Sequence, residues 1–157
     1  LYFCVVDHIY IGTVPSSMRG MLAMSYLYLD ENQFTGSGSD VLNFVGPQVV
    51  DLELSQNSFS GKIPFDRNDT ANLKDFYIRE NFFTGSFPNG NQVQEYALLS
   101  NISKLDFGSN RFSGTLPSSL QLVCVVFYMY QLYAVSLSAM HSSFCILSII
   151  LFLPLLY

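Results

Sequence analysis

Basic residues are scarce in this chain. Lys and Arg number 7 against 12 Asp and Glu, a net charge of −5. With no basic patch interleaved with aromatics, that balance argues against nucleic acid as a partner. Cysteine is scarce too. Cys4, Cys124 and Cys145 are scattered and odd in number, which indicates neither a disulfide framework nor a zinc site. No glycine-rich phosphate loop, metal-ligand spacing or kinase signature occurs, so no cofactor is implied and the chain reads as a non-enzyme. Charge is missing altogether from Leu122 to Tyr157, a stretch without Asp, Glu, Lys or Arg.

What the sequence does have is repetition. Asp7-His8-Ile9-Tyr10-Ile11-Gly12 returns as Glu31-Asn32-Gln33-Phe34-Thr35-Gly36 and as Gln56-Asn57-Ser58-Phe59-Ser60-Gly61. It returns again as Glu80-Asn81-Phe82-Phe83-Thr84-Gly85 and Ser109-Asn110-Arg111-Phe112-Ser113-Gly114. The steps between the anchors His8, Asn32, Asn57, Asn81 and Asn110 are 24, 25, 24 and 29 residues. A period of this size means a stacked solenoid. An aromatic stands two after each anchor, and proline stands seven after it at Pro15, Pro64, Pro88 and Pro117, with Ser39 the exception. Apolar pairs stand five and three before it: Phe3/Val5, Leu27/Leu29, Leu52/Leu54, Phe76/Ile78 and Leu105/Phe107.

This frame resembles the plant-type leucine-rich repeat of receptor-like kinases, receptor-like proteins and polygalacturonase inhibitors. The resemblance covers residues 1–120. It implies an α/β solenoid, a right-handed leucine-rich-repeat superhelix of about five coils with a parallel sheet on the concave face. The family often brackets its repeats with paired-cysteine caps; none is visible, so apolar coil ends are expected to be exposed. The chain opens on Leu1 rather than Met, and is expected to be a fragment or a processed product.

Each column of the frame has a physical reason. An alternating pair such as Leu52-x-Leu54 is a period-2 strand with one buried face. The turn that follows buries backbone groups which no strand partner satisfies. An inward asparagine carries donors and an acceptor together, so Asn32, Asn57, Asn81 and Asn110 are expected to form a ladder beneath the sheet. The aromatics are expected to stack as a spine, and glycine to supply a positive φ or a close backbone approach. The five residues added near Asn89–Tyr96 are expected to loop out of the coil.

Positions six, four and two before each anchor face away from the core. Among them Tyr28, Asp30, Asp51, Glu53, Asp75, Tyr77, Arg79 and Asp106 are the candidate ligand-binding residues. Tyrosine and arginine offer contact area with a polar handle, and the excess of carboxylates favours a basic or polar peptide. Asp51 and Glu53 flank one strand position. An acid/base pair needs a cleft and perturbed pKa values, which an open sheet is not expected to provide. The repeat frame likewise gives Cys4 and His8 structural places. Asn68-Asp69-Thr70 and Asn101-Ile102-Ser103 match the N-glycosylation acceptor.

Residues 121–157 form a hydrophobic tail, expected to be helical. The window from about Ser138 to Tyr157 is the best candidate membrane span and Leu122 to about Met140 the second. Translated non-coding sequence is the competing reading of this tail. The resemblance implies an extracellular recognition region at the cell surface that binds a peptide or protein ligand, with a co-receptor for signalling. A secreted inhibitor-type binding protein and an inactive truncated remnant are the alternatives.

Overall fold

The computed structural model describes residues 1–5, 9–64, 70–86, 101–115 and 135–136. Strands are numbered in chain order. The alternating apolar pairs produce short strands at β1 (Tyr2–Cys4), β3 (Tyr26–Tyr28), β5 (Asp51–Glu53), β7 (Asp75–Tyr77) and β9 (Lys104–Asp106). They pair in parallel in the order β1-β3-β5-β7-β9. Phe3, Leu27, Leu52, Phe76 and Leu105 are in register along the centre of this sheet. All but Phe3 are fully buried, as are Leu29, Leu54 and Ile78 at the strand ends. Met24, Val49, Leu73 and Ile102, eight before each anchor, close the core from the other side. Burying one such side chain contributes about 1.5–3 kcal/mol, so each coil is held chiefly by its stack of apolar neighbours. These coils form a solenoid of parallel strands.

A second sheet was not anticipated from the sequence. It contains β2 (Ile11–Thr13), β4 (Gln33–Ser37), β6 (Ser58–Lys62), β8 (Phe82–Ser86), β10 (Arg111–Thr115) and β11 (Val135–Ser136). Its strands also run parallel, and β4, β6, β8 and β10 each span the aromatic and glycine of the repeat. The aromatics point inward. Phe59, Phe83 and Phe112 are buried, with Phe59–Phe83 stacked at 6.1 Å and Phe83–Phe112 at 6.5 Å. Tyr10 stacks on Phe34 at 6.3 Å. The repeat glycine takes a positive φ, +73° at Gly61, which a side chain would strain.

Between the two sheets the chain reverses sharply. The residue before each asparagine is left-handed although none is glycine: Glu31, Gln56, Glu80 and Ser109 have φ of 50–55°. Such a residue costs roughly 1–2 kcal/mol, which the inward asparagine offsets.

The second coil departs from the pattern because Ser39 replaces proline. There the chain forms helix α1 (Gly38–Phe44). Ser37 caps it and Asp40 closes a capping box onto the Ser37 backbone. Arg19 donates to the carbonyls of Leu42 (2.9 Å) and Val45 (2.8 Å) at the other end. Val41, Leu42 and Phe44 are buried, and Phe44 packs on Phe59. Gly38 is obligatory: a Cβ there would lie 2.2 Å from the Lys62 carbonyl oxygen.

The first coil exposes Leu1, Tyr2, Ile9, Tyr10, Ile11 and Leu22. The expected loop near Asn89–Tyr96 lies outside the described residues, as does the tail apart from Val135–Ser136. That pair is extended rather than helical, and lies beside Gly114 and Thr115 of β10. Among the described residues no helix is long and apolar enough to cross a membrane.

Candidate functional site: an acidic, tyrosine-lined sheet face

The outward positions of the first sheet fall into two rows across the strands. One row is Tyr2, Tyr26, Asp51, Asp75 and Lys104; the other is Cys4, Tyr28, Glu53, Tyr77 and Asp106. Neighbours in a row are one strand spacing apart, about 4.8 Å. Asp30 and Arg79 follow β3 and β7 and are half-buried.

Side chains within this face engage one another. The Tyr28 hydroxyl donates to Asp51 Oδ2 at 2.8 Å. Lys104 Nζ donates to Asp75 Oδ2 at 2.7 Å, and Arg79 pairs with Glu80 at 2.9 Å. Glu53 Oε1 accepts from the Ser55 N–H and Asp106 Oδ1 from the Gly108 N–H, both at 2.9 Å. Asp106 is only 7% exposed.

Packing carboxylates this closely perturbs them. Burial, aided by the negative charges of Asp30 and Asp106, pushes Glu53 up to about 7. Burial also raises Asp51 and Asp106, against the hydrogen bonds from Tyr28 and Gly108 respectively. Tyr28 and Tyr77 are raised by burial next to these carboxylates. The expectation that an open sheet leaves the pKa of Glu53 unperturbed is thereby corrected. Its neighbours are bulky tyrosines on both flanking strands, so the carboxyl is partly desolvated without any cleft.

Tyr2 was overlooked as a member of this face. It stacks on Tyr26 at 4.2 Å and meets Tyr28 edge-on at 6.0 Å. Counting six back from His8 finds it, the same count that finds Tyr26. Cys4, on β1, is an exposed free thiol, and His8 lies outside the described residues. Among the described residues no cluster of three or more His, Cys, Asp or Glu could hold a metal ion.

Behind the sheet, the asparagines join coil to coil. Asn57 Nδ2 donates to Leu29, Leu54 and Ser55 carbonyls (2.8–3.2 Å), and its Oδ1 accepts from the Phe34 N–H at 2.9 Å. Asn32, Asn81 and Asn110 repeat the set, each bonding carbonyls of its own and the preceding coil. Of the two glycosylation candidates, Asn68 lies outside the described residues. Asn101 is exposed and donates to the Ala71 carbonyl at 2.9 Å.

The charge pattern differs on the second sheet. Its outer face carries Lys62 and Arg111, the latter lying over the exposed ring of Phe82 at 4.8 Å. The two sheets thus present opposite signs.

Known proteins share this organisation. Residues 101–122 match the family model described as Leucine Rich Repeat. Receptor-like protein 39 of Arabidopsis thaliana is 36% identical over 113 residues, an alignment covering 71% of this chain and 12% of that protein. Among solved structures, the complex of the Arabidopsis receptor kinase HAESA with the peptide hormone IDA and the co-receptor SERK1 is similar. It has a TM-score of 0.61 and 27% identity, and the match covers 78% of this chain and 20% of that one. The BIR3–SERK2 complex from Arabidopsis thaliana matches with a TM-score of 0.60 and 29% identity, covering 71% and 57%. The chain spans 12% of the length of the first curated relatives it matches.

Proposed function

The chain is a plant-type leucine-rich-repeat protein, and on that premise we propose that it is a recognition segment of a cell-surface receptor-like protein. It binds a peptide or protein ligand across β3, β5, β7 and β9 and catalyses no reaction. The observation that carries this reading is the outward face of the first sheet. Tyr28, Glu53, Tyr77 and Asp106 stand in register there with Asp51 in the adjacent row, all half-buried or buried, on a backbone fixed from below by the asparagines. Rigid aromatic and charged groups on a pre-formed sheet suit binding, because little ordering is needed to engage them. The structural relatives agree in kind: one was solved with a peptide hormone and a co-receptor. A co-receptor is accordingly the expected second partner.

Panning a displayed library of short random peptides against the full chain tests this. Synthetic copies of the selected peptides should lose binding on Tyr77→Ala and on Asp106→Asn, and keep it on Lys62→Ala on the other sheet. Failure to select any binder, or loss confined to Lys62→Ala, would refute the reading.

A further inference from the structure

We propose that the first sheet takes one cationic side chain of its ligand, a lysine or arginine, over Glu53 and between Tyr28 and Tyr77. This rests on the binding role proposed above and specifies its chemistry.

The register places Tyr28, Glu53, Tyr77 and Asp106 side by side on adjacent strands. Glu53 therefore has an aromatic ring on each flanking strand. The groups acting electrostatically on it are negative: Asp30 from beyond β3 and Asp106 from β9. On its own strand, Asp51 is turned to the Tyr28 hydroxyl. Cations on the face are engaged by other carboxylates, Lys104 by Asp75 and Arg79 by Glu80, with the Arg79 charge also acting on Asp106. Glu53 is thus a partly desolvated carboxyl with no positive group among the charges that shift it.

An incoming ammonium or guanidinium supplies that charge. Tyrosine faces attract it further through the negative charge of the ring face, and cover the methylene stem of the side chain. An acidic ligand meets repulsion from four carboxylates. A neutral one leaves the Glu53 carboxyl without a counter-charge. A divalent metal is disfavoured because the described carboxylates do not converge as a ligand set.

The selected peptides test this directly. They should share a Lys or Arg at one position, and replacing it by citrulline or norleucine should weaken binding about tenfold or more. Glu53→Gln should weaken binding similarly while preserving the acceptor for Ser55 N–H; thermal unfolding of this variant checks the fold, and Tyr77→Leu gives an independent arm. Wild-type affinity should fall about tenfold or more from about pH 8 to about pH 5.5 as Glu53 takes up a proton, and that fall should be much smaller in Glu53→Gln. Peptides without a cation that still depend on Tyr77 and Asp106 would overturn the cation site and leave the binding role standing. Unchanged affinity in both Glu53→Gln and Tyr77→Leu would overturn it too. An empty selection would overturn both.

Discussion

Asn81→Asp changes one NH2 group to an oxygen and leaves the shape of the side chain almost untouched. In the native protein Asn81 Nδ2 donates to the carbonyls of Leu54 at 2.9 Å and of Ile78 and Arg79 at 3.2 Å, while Oδ1 accepts from the Phe59 N–H at 3.0 Å. The variant keeps the last bond and sets a carboxyl oxygen, with one donor at most, against three carbonyls. Asn81 is 5% exposed, so water is a poor substitute. A buried polar group deprived of its partner costs about 1–3 kcal/mol. Weighting the short bond fully and the two long ones partly, the total at pH 7 is about 4 kcal/mol. That is a large fraction of the roughly 5–15 kcal/mol typical of a domain. The pH dependence sharpens the test. The new carboxyl is held protonated in the folded chain and ionises on unfolding above about pH 4, so the folded state binds the extra proton. Stability of the variant relative to wild type should therefore fall by about 1.4 kcal/mol per pH unit as pH rises. Between pH 7 and pH 5 some 2–3 kcal/mol should be recovered, as the unfolded carboxyl gains less by ionising at the lower pH. Urea unfolding of the full chain, followed by far-UV circular dichroism at both pH values beside wild type, measures this. A loss below about 1 kcal/mol at pH 7, or a pH-independent difference, would refute the idea that asparagine donors hold successive coils together.

Three other perturbations have defined outcomes. Gly38→Ala should destabilise by more than about 2 kcal/mol, because the added methyl meets the Lys62 carbonyl, which is backbone and cannot swing away; urea midpoints measure it. Gln56→Gly should stabilise by about 0.5–1 kcal/mol, since exposed Gln56 sits at φ +55° and glycine relieves that strain at some entropic cost; a raised Tm is the readout. Glu53 should make the protein more stable in mild acid. Its folded pKa near 7 exceeds the ordinary 4.5, so stability is greatest below 4.5 and falls as pH rises to about 7. The full effect is at most about 3 kcal/mol, which solvent screening reduces to about 1–2 kcal/mol. Glu53→Gln should flatten that part of the profile in calorimetric scans from pH 4 to pH 8.

The repeat made the first sheet readable residue by residue, because one buried position alternates with two outward ones and the pattern recurs five times. The second sheet was not readable. Its strands, such as Gln33–Ser37 and Ser58–Lys62, are polar, contain glycine and offer one aromatic each to the core. Nothing in such a segment by itself favours extension; neighbouring coils impose it by pairing. The left-handed residues Glu31, Gln56, Glu80 and Ser109 were hidden for a similar reason, since their types carry no mark of a positive φ. Ser39 reads in the sequence only as a missing proline, while the capping box of Ser37 and Asp40 marks where α1 begins. The titration of Glu53 depends on burial and on the charges of Asp30 and Asp106 from other coils, so composition along its own strand could not show it.

Two parallel ladders, one on each side of the core, run through the same coils. A stack fastened along a single seam can swing open about it like a book. Fastened along two, it resists both twist and splay, and the distance from one strand to the next becomes a fixed ruler. Partners must match that spacing as they find it. Selectivity in such a scaffold is expected to arise by exchanging side chains on an unyielding template, one coil at a time, with the frame itself left unchanged.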